Sequence, residues 1–237
     1  MIEYFGYGYS LSTKNARNVE SFIHEINTAL QETEIYGSYT ILANGMSGLY
    51  ALAYTNSFPE SVERLILVDS IYPATINETY VQKYIKDQKF NITLTSFVEL
   101  TGYARILSYI KPEIFGIDKM KEYGFSNNDI SLYRKMIANR FYTNTMKNEY
   151  KLLDQNMEQL SNYTFPEYLS VTQILSDEYV KEFVEYKNQN LMKKDIQDYA
   201  EDLITNPEIQ KIIIVSGEKD NLNLSNPEAV IGEVLTK

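Results

Sequence analysis

The chain has 237 residues, of which 44% are hydrophobic, enough to bury a real core and to exclude disorder along its length. Its formal charge of −10 at pH 7 sets it against phosphate backbones and anionic lipid, so neither nucleic acid nor a membrane surface is an expected partner. It has no cysteine, which excludes disulfides, thiolate catalysis and zinc–thiolate sites, and a single histidine, His24.

The chain opens with MIEYFGYGYS, which has no basic region and no long apolar run, and no segment reaches the ~18–20 apolar residues of a membrane span. A soluble, cytoplasmic protein is the default expectation. IEYF (2–5) reads as a short apolar strand before a Gly/Ser turn. Residues 15–31 carry Val19, Phe22, Ile23, Ile26, Ala29 and Leu30 at helical spacing, with His24 off that stripe. YTILAN (39–44) reads as a buried strand, GMSGLYALAYTNSF (45–58) as a helix lying close to a sheet, and VERLILVDS (62–70) as a strand that ends at Asp69. Continuous apolar runs of this kind suit parallel strands covered on both faces.

From residue 71 to 206 tyrosine, lysine and glutamate dominate, with helical periodicity in 77–90, 95–110, 129–160 and 174–204, punctuated by Pro112, Gly124 and Pro166. KIIIVSGEKD (211–220) then returns to a strand and turn, and a last helix begins near Pro227. The order predicts an α/β protein: a core of about four mostly parallel strands from 1–70 and 207–237, and a helical lid or cap subdomain from 71–206.

ILANGMSGLYALAY (41–54) has the small residues that a strained strand-to-helix corner needs: Ala43, Ser47 and Gly48 around Gly45. Together with EYFGYGYS, the FPESV link (58–62) and IIIVSGEKD, this text resembles the α/β-hydrolase fold family, of esterase or lipase type with a lid. The resemblance implies a nucleophile elbow at 44–48, with Glu3 in the acidic place of the family's Asp-x-x-Gly-x-Gly-x-Ser segment. It likens IIIVSGEKD to the seventh strand, which makes Asp220 the candidate acid, and it likens LSNPEAVIGEVL (224–235) to the last helix, which follows the catalytic histidine. The nucleophile place falls on Gly45, where serine is absent, and Met46 keeps a backbone N–H as oxyanion donor.

No base is found: no histidine follows residue 24, and no room for an eighth strand is expected between Asp220 and the last helix. The family's first three strands have no counterpart before Met1, so a sheet edge is expected to lie open unless the insertion or a second copy covers it. Ser47 lies two helical steps, about 200°, from the apex and reads as a packing residue. His24 reads as a surface histidine, and Asp69 as a cap for the segment that follows it. Neither a cofactor nor a metal site is expected, since one histidine and scattered carboxylates make no ligand cluster.

The insertion's many tyrosines, Tyr80, Tyr84, Tyr179 and Tyr186 among them, read as filling helix faces or as lining a cleft for a small hydrophobic or acyl ligand. The readings that compete are a hydrolase-family protein without triad turnover, which is favoured, a binder of such a ligand, and an enzyme of other mechanism, which nothing in the sequence supports.

Overall fold

The computed structural model describes residues 1–34, 37–100, 103–140, 143–219 and 221–236. In chain order the elements are α1 (Val19–Glu32), β1 (Tyr39–Asn44), α2 (Ser47–Ser57), β2 (Val62–Val68), α3 (Thr79–Leu100), α4 (Tyr103–Ile110), α5 (Ile117–Met120), α6 (Asn127–Arg140), α7 (Asn144–Leu160), β3 (Ser170–Ser176), α8 (Asp177–Asn188), α9 (Ile196–Glu201), β4 (Gln210–Val215), α10 (Leu222–Ser225) and α11 (Pro227–Leu235). The four strands form one parallel sheet in the order β1-β2-β3-β4.

Burial follows position in that sheet. Leu65 to Val68 of β2 and Val171 to Ser176 of β3 are buried, as central strands covered on both faces must be. The outer strands are wetter: Leu42 of β1 is 50% exposed and Ile214 of β4 47%. One face is closed by Val230 of α11 and Leu222 of α10, which pack with Ile66, Val68 and Ile174. The helix α2 is buried from Gly48 to Thr55, and α1 joins it through the stacked rings of Phe22 and Tyr50, 3.6 Å between centroids. Asn18 starts α1 by accepting the Ser21 N–H, the usual service of an Asn at a helix N-cap.

The structure departs from the sequence reading in two places. IEYF is not a strand; residues 1–4 are irregular and run into a turn. There the Glu3 carboxylate accepts the N–H groups of Tyr9 and Ser10, each at 3.0 Å, so the segment is organised by an acidic side chain and not by sheet pairing. The helical periodicity assigned to 174–204 conceals β3, which occupies 170–176 and pairs on both sides. Two of its central residues, Thr172 and Gln173, are polar yet buried. Thr172 donates its hydroxyl to Glu233 at 3.3 Å and Gln173 donates Nε2 to the Ala200 carbonyl at 2.9 Å. Their polarity breaks the apolar run by which the other strands are recognised.

The chain divides into two compact units, Met1–Arg17 with Tyr84–Leu153, and Asn18–Lys83 with Asp154–Lys237. The first unit is centred on Ala104, Phe115, Ile117, Ile130 and Ile137. The second contains the whole sheet.

Candidate active-site corner

At the end of β1 the chain turns through Gly45, whose φ of +55° lies in the left-handed region. An L side chain there costs about 1–2 kcal/mol, and glycine removes that cost. The apex is tied to the end of β2 from both sides: the Gly45 N–H donates to the Val68 carbonyl at 3.0 Å, and the Ile71 N–H donates to the Gly45 carbonyl at 3.1 Å. Asn44 adds its Nδ2, which donates to the same Val68 carbonyl at 3.1 Å. A Cβ placed on Gly45 would meet no heavy atom within 4 Å, so the apex has open space before it. Three residues on, the opposite holds. A Cβ on Gly48 would stand 2.3 Å from Ser70 Oγ and 2.5 Å from Ser70 Cβ. The close approach that the sequence reading ascribed to Ser47 is made at Gly48; Ser47 is the half-buried first residue of α2.

Met46 precedes α2 with helical angles, φ −66° and ψ −25°, and no side chain caps the helix among the described residues. His24 is exposed on α1, two residues from Phe22, which faces α2 and is 0% exposed. It lies on the opposite side of its helix from the packed face.

Asp69 follows β2 with φ +41° and is buried. Its N–H donates to the Ile174 carbonyl at 3.0 Å, and its Oδ1 accepts the Ser176 N–H at 2.7 Å, so it caps the end of β3 and not its own next segment. Tyr72 is buried beside it, and its hydroxyl has no hydrogen-bond partner among the described residues. Burial first, and the Asp69 charge second, push that hydroxyl well above its ordinary pKa. Tyr179 reaches back to donate its hydroxyl to the Ser70 carbonyl at 3.1 Å.

The sequence reading did not single out Asp177, the first residue after β3. Its Oδ1 accepts the Gly217 N–H at 3.0 Å and its Oδ2 accepts Lys181 Nζ at 2.6 Å. The Lys181 bond first, and the Gly217 N–H next, hold its carboxyl below the ordinary 3.8. The loop after β4 is sewn to α8 at two further points. The Lys219 N–H donates to Glu178 at 3.2 Å, and Lys219 Nζ pairs with Glu182.

Two strands follow β2 in the sheet: β3, after which Asp177 stands, and β4, which holds the IIIV of IIIVSGEKD. Asp220 itself lies outside the described residues. Among the described residues no group of three or more His, Cys, Asp or Glu side chains could hold a metal ion, and no helix is long and apolar enough to cross a membrane.

No protein-family model matches the chain. It is 18% identical over 171 residues, 70% of its length, to the uncharacterized protein YbdG of Bacillus subtilis (strain 168), and the match spans 49% of that protein, about half. Among solved structures it is similar to Cfl2 of Burkholderia cenocepacia, with a TM-score of 0.67 and 14% identity over 97% of this chain and 74% of that one. The epoxide hydrolase VrEH1 of Vigna radiata gives 0.64 and 13%, covering 97% and 77%. MGS-M2, an alpha/beta hydrolase enzyme from a Medee basin deep-sea metagenome library, gives 0.62 and 12%, covering 98% and 75%. A parallel sheet in this order, with a left-handed corner leading from strand into buried helix and with hydrolases as its structural neighbours, gives this chain the α/β-hydrolase fold.

Proposed function

We propose that this protein keeps the architecture of an ester- or lipid-hydrolase-like ancestor and carries out no triad hydrolysis. The observation that carries the reading is Gly45: the apex holds the strained conformation, with space before it, and presents no attacking atom. Reading β1 as the elbow strand gives β3 the seventh place of the resemblance and makes Asp177 the candidate acid, with its carboxylate held by Gly217 and Lys181. The segment from β4 to α11, where the histidine of the resemblance belongs, contains none. Losing a triad nucleophile or base lowers turnover about a million-fold, and here both are absent. Only the Met46 N–H remains as a candidate oxyanion donor.

The test uses short-chain nitrophenyl esters and a fluorophosphonate serine probe, with the wild type and with Gly45→Ser. Neither protein is expected to turn over substrate or take up label, because a serine without a base stays a weak nucleophile. Labelling of the wild type would overturn the reading. A second reading, binding of a small hydrophobic or acyl ligand, is favoured by the open space at the Gly45 apex. A rise in melting temperature with saturating fatty acid would support it, and its absence would retire it.

A further inference from the structure

We propose that Asn44 and Gly45 form a latent self-modification site, silent while β1 is paired with β2 and reactive when that pairing opens. The sequence holds one Asn–Gly pair, and it stands at the apex. A following glycine brings no Cβ to shield its backbone nitrogen, which makes this dipeptide the least hindered for ring closure. In that reaction the Gly45 nitrogen attacks Asn44 Cγ and a new C–N bond closes a five-membered succinimide. The Asn44 side-chain nitrogen leaves as ammonia, taking the proton lost by the Gly45 amide. Water, the co-reactant, then opens either C–N bond of the ring. One opening gives Asp at position 44; the other gives isoaspartate, with the main chain rerouted through Cγ. No electrons are transferred to or from an outside reagent.

In the folded chain both reacting groups are held by one acceptor. The Gly45 N–H and the Asn44 Nδ2 both donate to the Val68 carbonyl, at 3.0 and 3.1 Å. Asn44 is itself a strand residue in register with Val68. Turning the Gly45 nitrogen toward Asn44 Cγ requires rotation about the Asn44 ψ angle, which breaks these bonds and the strand conformation together. Two features make release accessible: Asn44 is exposed to water, and β1 pairs only with β2 among the described residues. The change is also hard to reverse structurally. An Asp at 44 offers an oxygen where Nδ2 donated, so a carboxylate would face the Val68 carbonyl and the corner could not close as before.

The full chain is incubated folded and in urea, at one temperature and mildly alkaline pH. The peptide containing Asn44 is then followed by mass spectrometry and by isoaspartyl methyltransferase labelling. Conversion in urea is expected to be about a hundredfold faster, which corresponds to an opening cost of about 3 kcal/mol. Equal rates in the two conditions would overturn the proposal. Ile41→Ala, which trims a half-buried side chain of β1, supplies the second arm. Hydrogen exchange at the Gly45 amide and conversion at Asn44 should accelerate by the same factor, with the urea rate as the limit if the variant unfolds. Faster exchange with unchanged conversion would also overturn it.

Discussion

Two corners end two parallel strands of the same sheet, and they are held in different ways. The corner from β1 into α2 keeps the geometry: a left-handed apex, bonds to β2 on both sides, a buried helix and open space in front. Its apex, Gly45, carries no side chain. The corner from β3 into α8 carries the Asp177 carboxylate, which holds a loop through the Gly217 N–H. The contrast teaches that backbone strain and titratable chemistry are separable. The first is stabilised by packing around the turn, and the second survives wherever a carboxylate has hydrogen-bond donors to satisfy.

The sharpest way to break the first corner is Gly48→Ala. Its methyl would overlap Ser70, and overpacking of this kind costs about 1–3 kcal/mol, read as a lowered urea midpoint at unchanged slope. Gly45→Ser, three residues away, meets open space and should cost only the left-handed strain, about 1–2 kcal/mol by the same measurement. If Gly45→Ser proved the more damaging of the two, left-handed strain and not space would be what limits this corner. Tyr72→Phe works in the other direction. It removes a buried hydroxyl that has no partner among the described residues and should raise stability by about 1 kcal/mol.

The smallest expected effect probes the second corner. The Asp177 carboxyl titrates below its ordinary 3.8 in the folded chain, so the stability it contributes is complete above 3.8 and is lost as pH falls through the lowered value. Asp177→Asn keeps an acceptor for Gly217 and removes the charge. Melting temperature should therefore fall less steeply with pH below 3.8 in the variant than in the wild type. An identical acid limb in both proteins would show that Lys181 and Gly217 hold the side chain without stabilising the fold.

Legibility in the sequence followed locality. The β1–α2 corner could be read because its requirements lie within a few residues: an apolar run, a glycine at the apex and small residues beside it. β3 was missed because Thr172 and Gln173 break its apolar run, and only partners far along the chain, Glu233 and Ala200, explain their burial. Which carboxylate takes the acid's place in the resemblance likewise depends on counting strands, and one strand was hidden.

The amino-acid sequence by itself determined that the apex has no nucleophile and that no histidine follows residue 24, because an absent atom needs no fold to be absent. It also determined the apolar strands and their buried helix, which periodicity reports directly. Only the tertiary structure decided that residues 170–176 complete the sheet, that Asp177 holds the loop at Gly217, and that Val68 holds both halves of the Asn–Gly pair. Those are pairings between residues from 23 (Gly45 to Val68) to more than 100 positions apart, and hydrogen bonds of such reach are fixed by sheet order and register, which no short window of sequence contains.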